Sequence, residues 1–493
     1  MKKTDLFRDL TKLFLTGLFI IASHVYIHAG NGDGGYEIKI KLDNYGRDTL
    51  LLGYQIGNQT YIKDTAVLDK TSGFFTFKGE KKLSPGVYLI VTPPDNNYFQ
   101  IMVNDKEQNM TLITNPATPY IKAQLKGSTD NSLFFNYMSY LNDKRKEAED
   151  ASAKRKTDSI GAMKVLNNLD KEVRDYQDNL VKKNSGTVSS VLIKTASEIE
   201  TPKFEEIKEK NARDMALYLY YKEHYFDNFE MSNPALLRSP VLFQRIDAYI
   251  EKLTPQHPDS ICISLDRIIE LVKPNKETFQ YYFIHYLNQY AKSKLVGFDA
   301  IYVHLAKKYI ETGQTDAFIE GENKLKIVTN ANKLFPILIG KKAPEIKVFK
   351  EDNSQMSLYG VKSKYTVLFF FEPTCGHCQK QTPDLIEFSK KMKEKGIDVK
   401  IVPTCTFVGS EKVPECWKYI KEKGMTEDFN FIPTVDPYMI SRYKTLYNVE
   451  STPQLFVLDE NKIIRSKSIE AKQLEDVMDY IIKEDAEKLK GKN

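Results

Sequence analysis

Phe369-Phe370-Phe371-Glu372-Pro373-Thr374-Cys375-Gly376-His377-Cys378 is the stretch from which the rest of the chain is read. Thr366 to Phe371 is a strand-length run with almost no polar interruption, as expected of a strand covered on both faces in an α/β sheet. Helical spacing then begins, with Leu385, Phe388 and Met392 at i, i+3 and i+7, and Gly396 supplies a stop where left-handed backbone is cheap. The two thiols are therefore expected where a strand hands over to a helix.

That placement has chemical consequences. Residues three apart on a helix share a face, so Cys375 and Cys378 are near enough for a short disulfide that opens and closes without large backbone motion. At the helix N-terminus, unpaired N–H groups and the positive end of the dipole favour a thiolate, which marks Cys375 as the attacking sulfur. Cys378, one turn further in, is the natural resolving thiol. The competing reading of Cys-x-x-Cys is half of a zinc site, which needs two further ligands. Cys405 and Cys416 do not form a second closely spaced pair, so a redox pair is preferred and no cofactor or metal is expected.

At 493 residues the chain is too long for one ordinary core. With 41% hydrophobic and 28% charged residues it is globular. Residues 1–29 read as a signal peptide: a basic start, an apolar stretch from Leu13 to Ala22, and cleavage near Ala29-Gly30. Ile27 sits where a small residue is usual, so an uncleaved membrane anchor stays open. The segment carries +2 of the formal net charge of +5, leaving +3, which is no electrostatic footprint for nucleic acid. Export suits disulfide chemistry, and a periplasmic or cell-envelope location is expected.

Residues 30–127 alternate with period two, as in Tyr36, Ile38, Ile40 and Leu42, and turn clusters such as Ser84-Pro85-Gly86 separate the runs. They predict an antiparallel β sandwich or barrel, either a docking module or purely structural. Residues 128–335 predict an all-α domain. Its mixed charges at Lys144 to Asp150 read as a solvated helix face, and its aromatics, Tyr218 to Phe229 and Tyr281 to Tyr290, as core or as a surface for an unfolded client. Cys262, among Ile261, Ile263 and Leu265, reads as a small buried hydrophobe. Cys405 and Cys416 are a structural bridge, a second redox couple or two free thiols. Gly340 to Pro344 reads as a linker. Residues 336–493 then run strand, helix, strand, helix, a short helix over Pro437 to Leu446, a hairpin around Asp459 to Lys462, and a closing helix.

With its Cys-x-x-Cys at a helix start, Thr452-Pro453 before a hairpin and a terminal helix, this last region resembles thioredoxin. It is most similar to the TlpA/ResA-like thiol-disulfide oxidoreductases of the envelope, through Gly340 to Pro344, Phe371 to Cys378 and Pro383. The preceding helices, with Tyr220 to Phe226 and Leu253 to Ser260, are similar to an uncharacterised region often found before such domains. The resemblance implies a cis bond at Pro453 facing the sulfurs, and backbone groups of Thr452 offered to an extended client strand.

Two departures stand out. Phe369 occupies the position of a buried acid six residues before the first cysteine, and Gln381 replaces a glutamate common three residues after the second. Glu372 is the candidate for proton transfer in their place, with a solvated loop residue as the alternative. His377 between the cysteines should favour the thiolate and make the couple more oxidising. The chain thus reads as an exported enzyme exchanging disulfides with envelope proteins through Cys375, Cys378, His377, Glu372, Thr452 and Pro453, as a reductase, with a membrane or envelope redox partner. An oxidase or isomerase with the same site, and a non-enzymatic assembly module, are the alternatives.

Overall fold

A computed structural model describes residues 34–490, so the expected signal peptide over 1–29 lies outside the described residues. The described residues form two compact units: one contains residues 34–255 with Ile263–Phe283, the other Gln256–Cys262 with residues 284–490.

The first unit opens with eight strands: β1 (Tyr36–Leu42), β2 (Thr49–Ile56), β3 (Gln59–Asp69), β4 (Phe74–Gly79), β5 (Gly86–Thr92), β6 (Asn97–Val103), β7 (Asn109–Thr114) and β8 (Gln124–Lys126). Their order is β6-β5-β2-β3-β4-β1-β7-β8. The alternation read in β1 turns Tyr36, Ile38, Ile40 and Leu42 inward. One pair, β1 with β7, is parallel, with Ile38 opposite Met110 and Ile40 opposite Leu112. Alternation alone cannot reveal that, because it encodes faces and not strand direction. The open edge at β6 is closed by a side chain: Asn131 accepts from the Met102 N–H at 2.7 Å and donates to the Met102 carbonyl at 2.6 Å, as a neighbouring strand would.

Helices follow: α1 (Thr129–Ala153), α2 (Ser159–Lys183), α3 (Val188–Ala196), α4 (Lys210–His224), α5 (Pro234–Leu237), α6 (Pro240–Lys252), α7 (Pro258–Val272), α8 (Lys276–Ala291), α9 (Asp299–Leu305) and α10 (Gly321–Leu334). Ser128 caps α1 and Asp158 caps α2, each by accepting the N–H three residues on. Buried Asp130 accepts from the Val188 and Ser189 N–H groups, both at 2.8 Å, placing a carboxylate at the start of α3. The charged residues of Lys144 to Asp150 form the expected solvated face, with Lys144 paired to Glu147 and Glu172, while Ala148 turns inward. The aromatics of this region are mostly interior: Tyr225, Phe226, Tyr249, Tyr282, Phe283, Tyr286 and Tyr290 are buried. Cys262 is only half-buried and Ile263 is exposed, because the helical period sends Ile261, Ser264 and Leu265 inward and turns Cys262 and Ile263 outward.

In the second unit the sheet contains β9 (Lys347–Phe349), β10 (Gln355–Ser357), β11 (Tyr365–Phe371), β12 (Val399–Cys405), β13 (Thr434–Val435), β14 (Gln454–Asp459) and β15 (Ile464–Lys467), ordered β10-β9-β13-β12-β11-β14-β15. β11, β12 and β13 are parallel, and β14 runs against β11. Helices α11 (Gly376–Glu394), α12 (Val413–Lys423), α13 (Tyr443–Leu446) and α14 (Leu474–Lys490) complete it. Every residue of β11 is buried, with Phe369 and Phe371 in one core layer and Leu368 and Phe370 in the other, as a central strand requires.

Two expectations need correcting here. Gly340 to Pro344 is no free linker: Gly340 and Ala343 donate to the carbonyls of Ile464 and Lys462, and Ile464 donates back to Lys341, each at 2.8 Å, so the segment extends the sheet beside β15. Pro437 to Leu446 is helical only from Tyr443, because Met439 and Arg442 take positive φ and the Asp436 carboxylate captures the N–H groups of Ile440 and Ser441.

Candidate active site

β11 ends at Phe371, and Glu372, Pro373 and Thr374 turn the chain into α11. Cys375 is the cap of that helix, with an extended backbone at φ −76° and ψ 115°, and its Sγ accepts the Cys378 N–H at 3.3 Å. On its other side the thiol donates to the Thr452 carbonyl at 3.3 Å. The Thr452–Pro453 peptide is cis. Cys375 is half-buried and Cys378 fully buried, and neither is disulfide-bonded. Cys375, Cys378, Thr452 and Pro453, more than 70 residues apart in sequence, thus come together where β11 and β14 lie side by side.

The two sulfurs differ in acidity. Burial pushes the Cys375 thiol up, but hydrogen bonds from the Cys378 thiol and backbone, with those at Thr452 and His377, outweigh it and hold the thiol below the usual cysteine range. Burial, then the hydrogen bond to Cys375, pushes Cys378 up to about 12. Alkylation of the reduced protein should follow this split. The Cys375 rate rises through a midpoint below that of an ordinary cysteine, so the reaction persists at neutral pH, whereas Cys378 stays unmodified until strongly alkaline pH. Peptide mass mapping across a pH series checks this, and equal modification of both sulfurs would contradict it.

The other candidates fall around this centre. His377 is exposed. The Glu470 carboxyl is held below its usual range, first by its hydrogen bond to Lys472, with His377 among the smaller contributors. Glu372 presents its main-chain amide to the Cys378 sulfur, while its carboxyl contributes to the field at Tyr443. Gln381 accepts the Ala471 N–H at 3.0 Å, so the residue found where a glutamate is common ties α11 to the turn before α14. Phe369 is fully buried against Phe371, with ring centroids 5.7 Å apart.

Sequence reasoning missed the hydroxyls beside Cys378. Thr382 donates to the Cys378 carbonyl at 2.9 Å and meets the Tyr419 hydroxyl at 2.9 Å. Thr382 is signalled by its i+4 spacing from Cys378, but Tyr419 comes from α12 and carries no local signal. One turn before Tyr419, Cys416 is disulfide-bonded to Cys405, which pairs in register with Phe371. Both sulfurs are buried, which favours the structural-bridge reading of that pair. Among the described residues no group of three or more His, Cys, Asp or Glu side chains is arranged to hold a metal ion.

Residues 339–467 match the AhpC/TSA family. This last third is a thioredoxin-like thiol-disulfide oxidoreductase domain. Residues 36–134 and 170–331 match two families described only as domains of unknown function, DUF4369 and DUF5106, so the oxidoreductase domain is preceded by two modules without assigned chemistry. No curated protein matches the chain. Among solved structures, a domain of a possible thiol-disulfide isomerase from Cytophaga hutchinsonii is 32% identical over 30% of this chain and 95% of its own, with a TM-score of 0.26. A thioredoxin-like protein from Bacteroides caccae is 18% identical over 57% of this chain and 98% of its own, with a TM-score of 0.41. A thiol:disulfide interchange protein from a Bacteroides species is 23% identical over 29% of this chain and 88% of its own, at 0.25. No helix among the described residues is long and apolar enough to cross a membrane.

Proposed function

We propose that the protein is exported and reduces disulfides in envelope proteins through Cys375 and Cys378. The observation that carries this reading is the asymmetry of the pair: a half-buried sulfur at the helix cap, held below the usual cysteine pKa range, next to a fully buried one pushed up to about 12. The Cys375 thiolate attacks one sulfur of a client disulfide, forming a mixed disulfide and expelling the second client sulfur as a thiolate. Cys378 gives up its proton and attacks Cys375. The Cys375–Cys378 bond forms, the first client sulfur leaves with its electron pair, and the client has gained two electrons. A membrane or envelope partner then returns two electrons to the pair.

The Thr452 carbonyl, which now takes the Cys375 thiol, is free to accept a backbone N–H of an extended client once that thiol has reacted. Pro453 has no N–H to compete with the client, His377 helps hold Cys375 as the thiolate, and Glu372, three residues before Cys375, is the candidate for proton transfer. Stabilising the thiolate also favours the reduced pair, which supports oxidase or isomerase work as the second reading. Redox titration against glutathione, with an insulin-reduction assay, separates the two directions.

Cys378→Ala removes the resolving sulfur while sparing the attacking one. Clients should then accumulate as mixed disulfides on Cys375 after acid quenching, visible as adducts on non-reducing gels that collapse with reductant. A variant that yields no adducts would count against client exchange at this site.

A further inference from the structure

Four exposed apolar side chains of the oxidoreductase domain lie in the loops that follow two neighbouring strands of its sheet. Val408, Tyr438, Met439 and Ile440 are 45%, 63%, 41% and 47% exposed. Val408 follows β12, and the other three follow β13, the parallel neighbour of β12. The Gly409 N–H donates to the Pro437 carbonyl at 3.0 Å, so the two loops run side by side. The Tyr438 ring stands edge-on to Phe349, centroids 6.2 Å apart.

This rim is a constructed turn. Asp436 is fully buried, and its carboxylate accepts the Ile440 N–H at 2.9 Å, the Ser441 N–H at 3.1 Å and the Ser441 hydroxyl at 2.5 Å. Met439 at φ 53° and Arg442 at φ 54° occupy a backbone region that residues with a β-carbon rarely adopt. Strain of that kind persists only where the surroundings impose it, and here the buried Asp436 carboxylate holds the turn.

The rim is also continuous with the thiol site. The Thr406 N–H donates to the Phe371 carbonyl at 2.9 Å, and the Tyr443 hydroxyl donates to the Thr406 carbonyl at 3.4 Å, so the loop carrying Val408 leaves the sheet beside the turn carrying Cys375. In the order β13-β12-β11-β14 the thiols leave from β11, Thr452 precedes β14 on one side, and the apolar loops follow β12 and β13 on the other. A polypeptide joined to Cys375 that lays one flank of its cysteine on Thr452 carries the opposite flank towards this rim.

We infer that Val408, Tyr438, Met439 and Ile440 form a specificity rim that receives the apolar side chains flanking the reactive cysteine of an extended client polypeptide. The inference rests on the thiol-exchange reading and adds what that chemistry alone leaves open: which disulfides are preferred. Sulfur chemistry is the same in any disulfide, so selection falls to the contacts made by neighbouring residues.

The test is the full-length triple variant Tyr438→Ser, Met439→Ser, Ile440→Ser, assayed with insulin as the apolar polypeptide disulfide and with oxidised glutathione as the small polar one. Loss of three apolar contacts should lower kcat/KM for insulin by at least about tenfold, mainly through KM, and leave glutathione within about twofold of wild type. Unchanged insulin kinetics, or equal losses on both substrates, would overturn the rim. So would a change from dimer to monomer without a kinetic change, which assigns the face to a second copy of the chain. If the triple variant loses its circular-dichroism signature, Tyr438→Ser alone carries the test, with about a threefold insulin-specific loss expected. A wild-type protein inert toward both disulfides would sink the thiol-exchange reading and the rim together.

Discussion

Cys375→Ser should lower single-turnover disulfide reduction by at least about a thousandfold. Serine fits the same cap position, and its hydroxyl can keep both the Cys378 N–H and the Thr452 carbonyl as partners. What it lacks is ionisation: the hydrogen bonds that lower a thiol cannot bring an alcohol near neutrality, so the nucleophile is lost while the shape is kept. Cys378 cannot substitute, being fully buried and held at about 12. Rapid-quench assays with a stoichiometric client disulfide measure the loss. Residual activity above about one per cent of wild type would mean that Cys378 reaches clients without its partner.

The second large effect concerns stability. Lys467, at the end of β15, has a side chain only 5% exposed, and its ammonium pairs with Asp299 in the first turn of α9. Asp299→Ala leaves that ammonium buried without its carboxylate and should cost about 3–5 kcal/mol, the usual penalty for orphaning one member of a buried pair. The second Asp299 oxygen, Oδ1, is buried with no partner, so the pair is imperfectly satisfied. Exchanging both residues, Asp299→Ala with Lys467→Met, should therefore recover most of the loss. Urea unfolding of the reduced protein, followed through exposure of the fully buried Cys378, reads both variants. A single variant as stable as wild type would show that Lys467 finds water or another acceptor.

How much of this was legible in the sequence depends on whether the signal was local. β11 and α11 were, because an apolar run and an i, i+3, i+7 stripe are each written into consecutive residues. The β-rich and helical regions were legible for the same reason. Strand direction was not: nothing within Glu37 to Leu42 says that β7 lies alongside in parallel. The short strands β9 and β10, three residues each, carry too few positions to alternate. At the site, Cys375, Cys378 and the Thr452-Pro453 pair were marked by spacing and resemblance. Thr382 and Tyr419, by contrast, meet through tertiary packing of α12 on α11. The turn at Asp436 was misread as helix because its determinant is a carboxylate turned back on its own backbone, a competition that hydrophobic periodicity does not record.

The hydrogen bonds joining Gly340 and Ala343 to Ile464 and Lys462 reach beyond the sheet they extend. A stretch woven into the same fabric as β15 gives proteases no slack loop to grip at the entrance to the thiol domain.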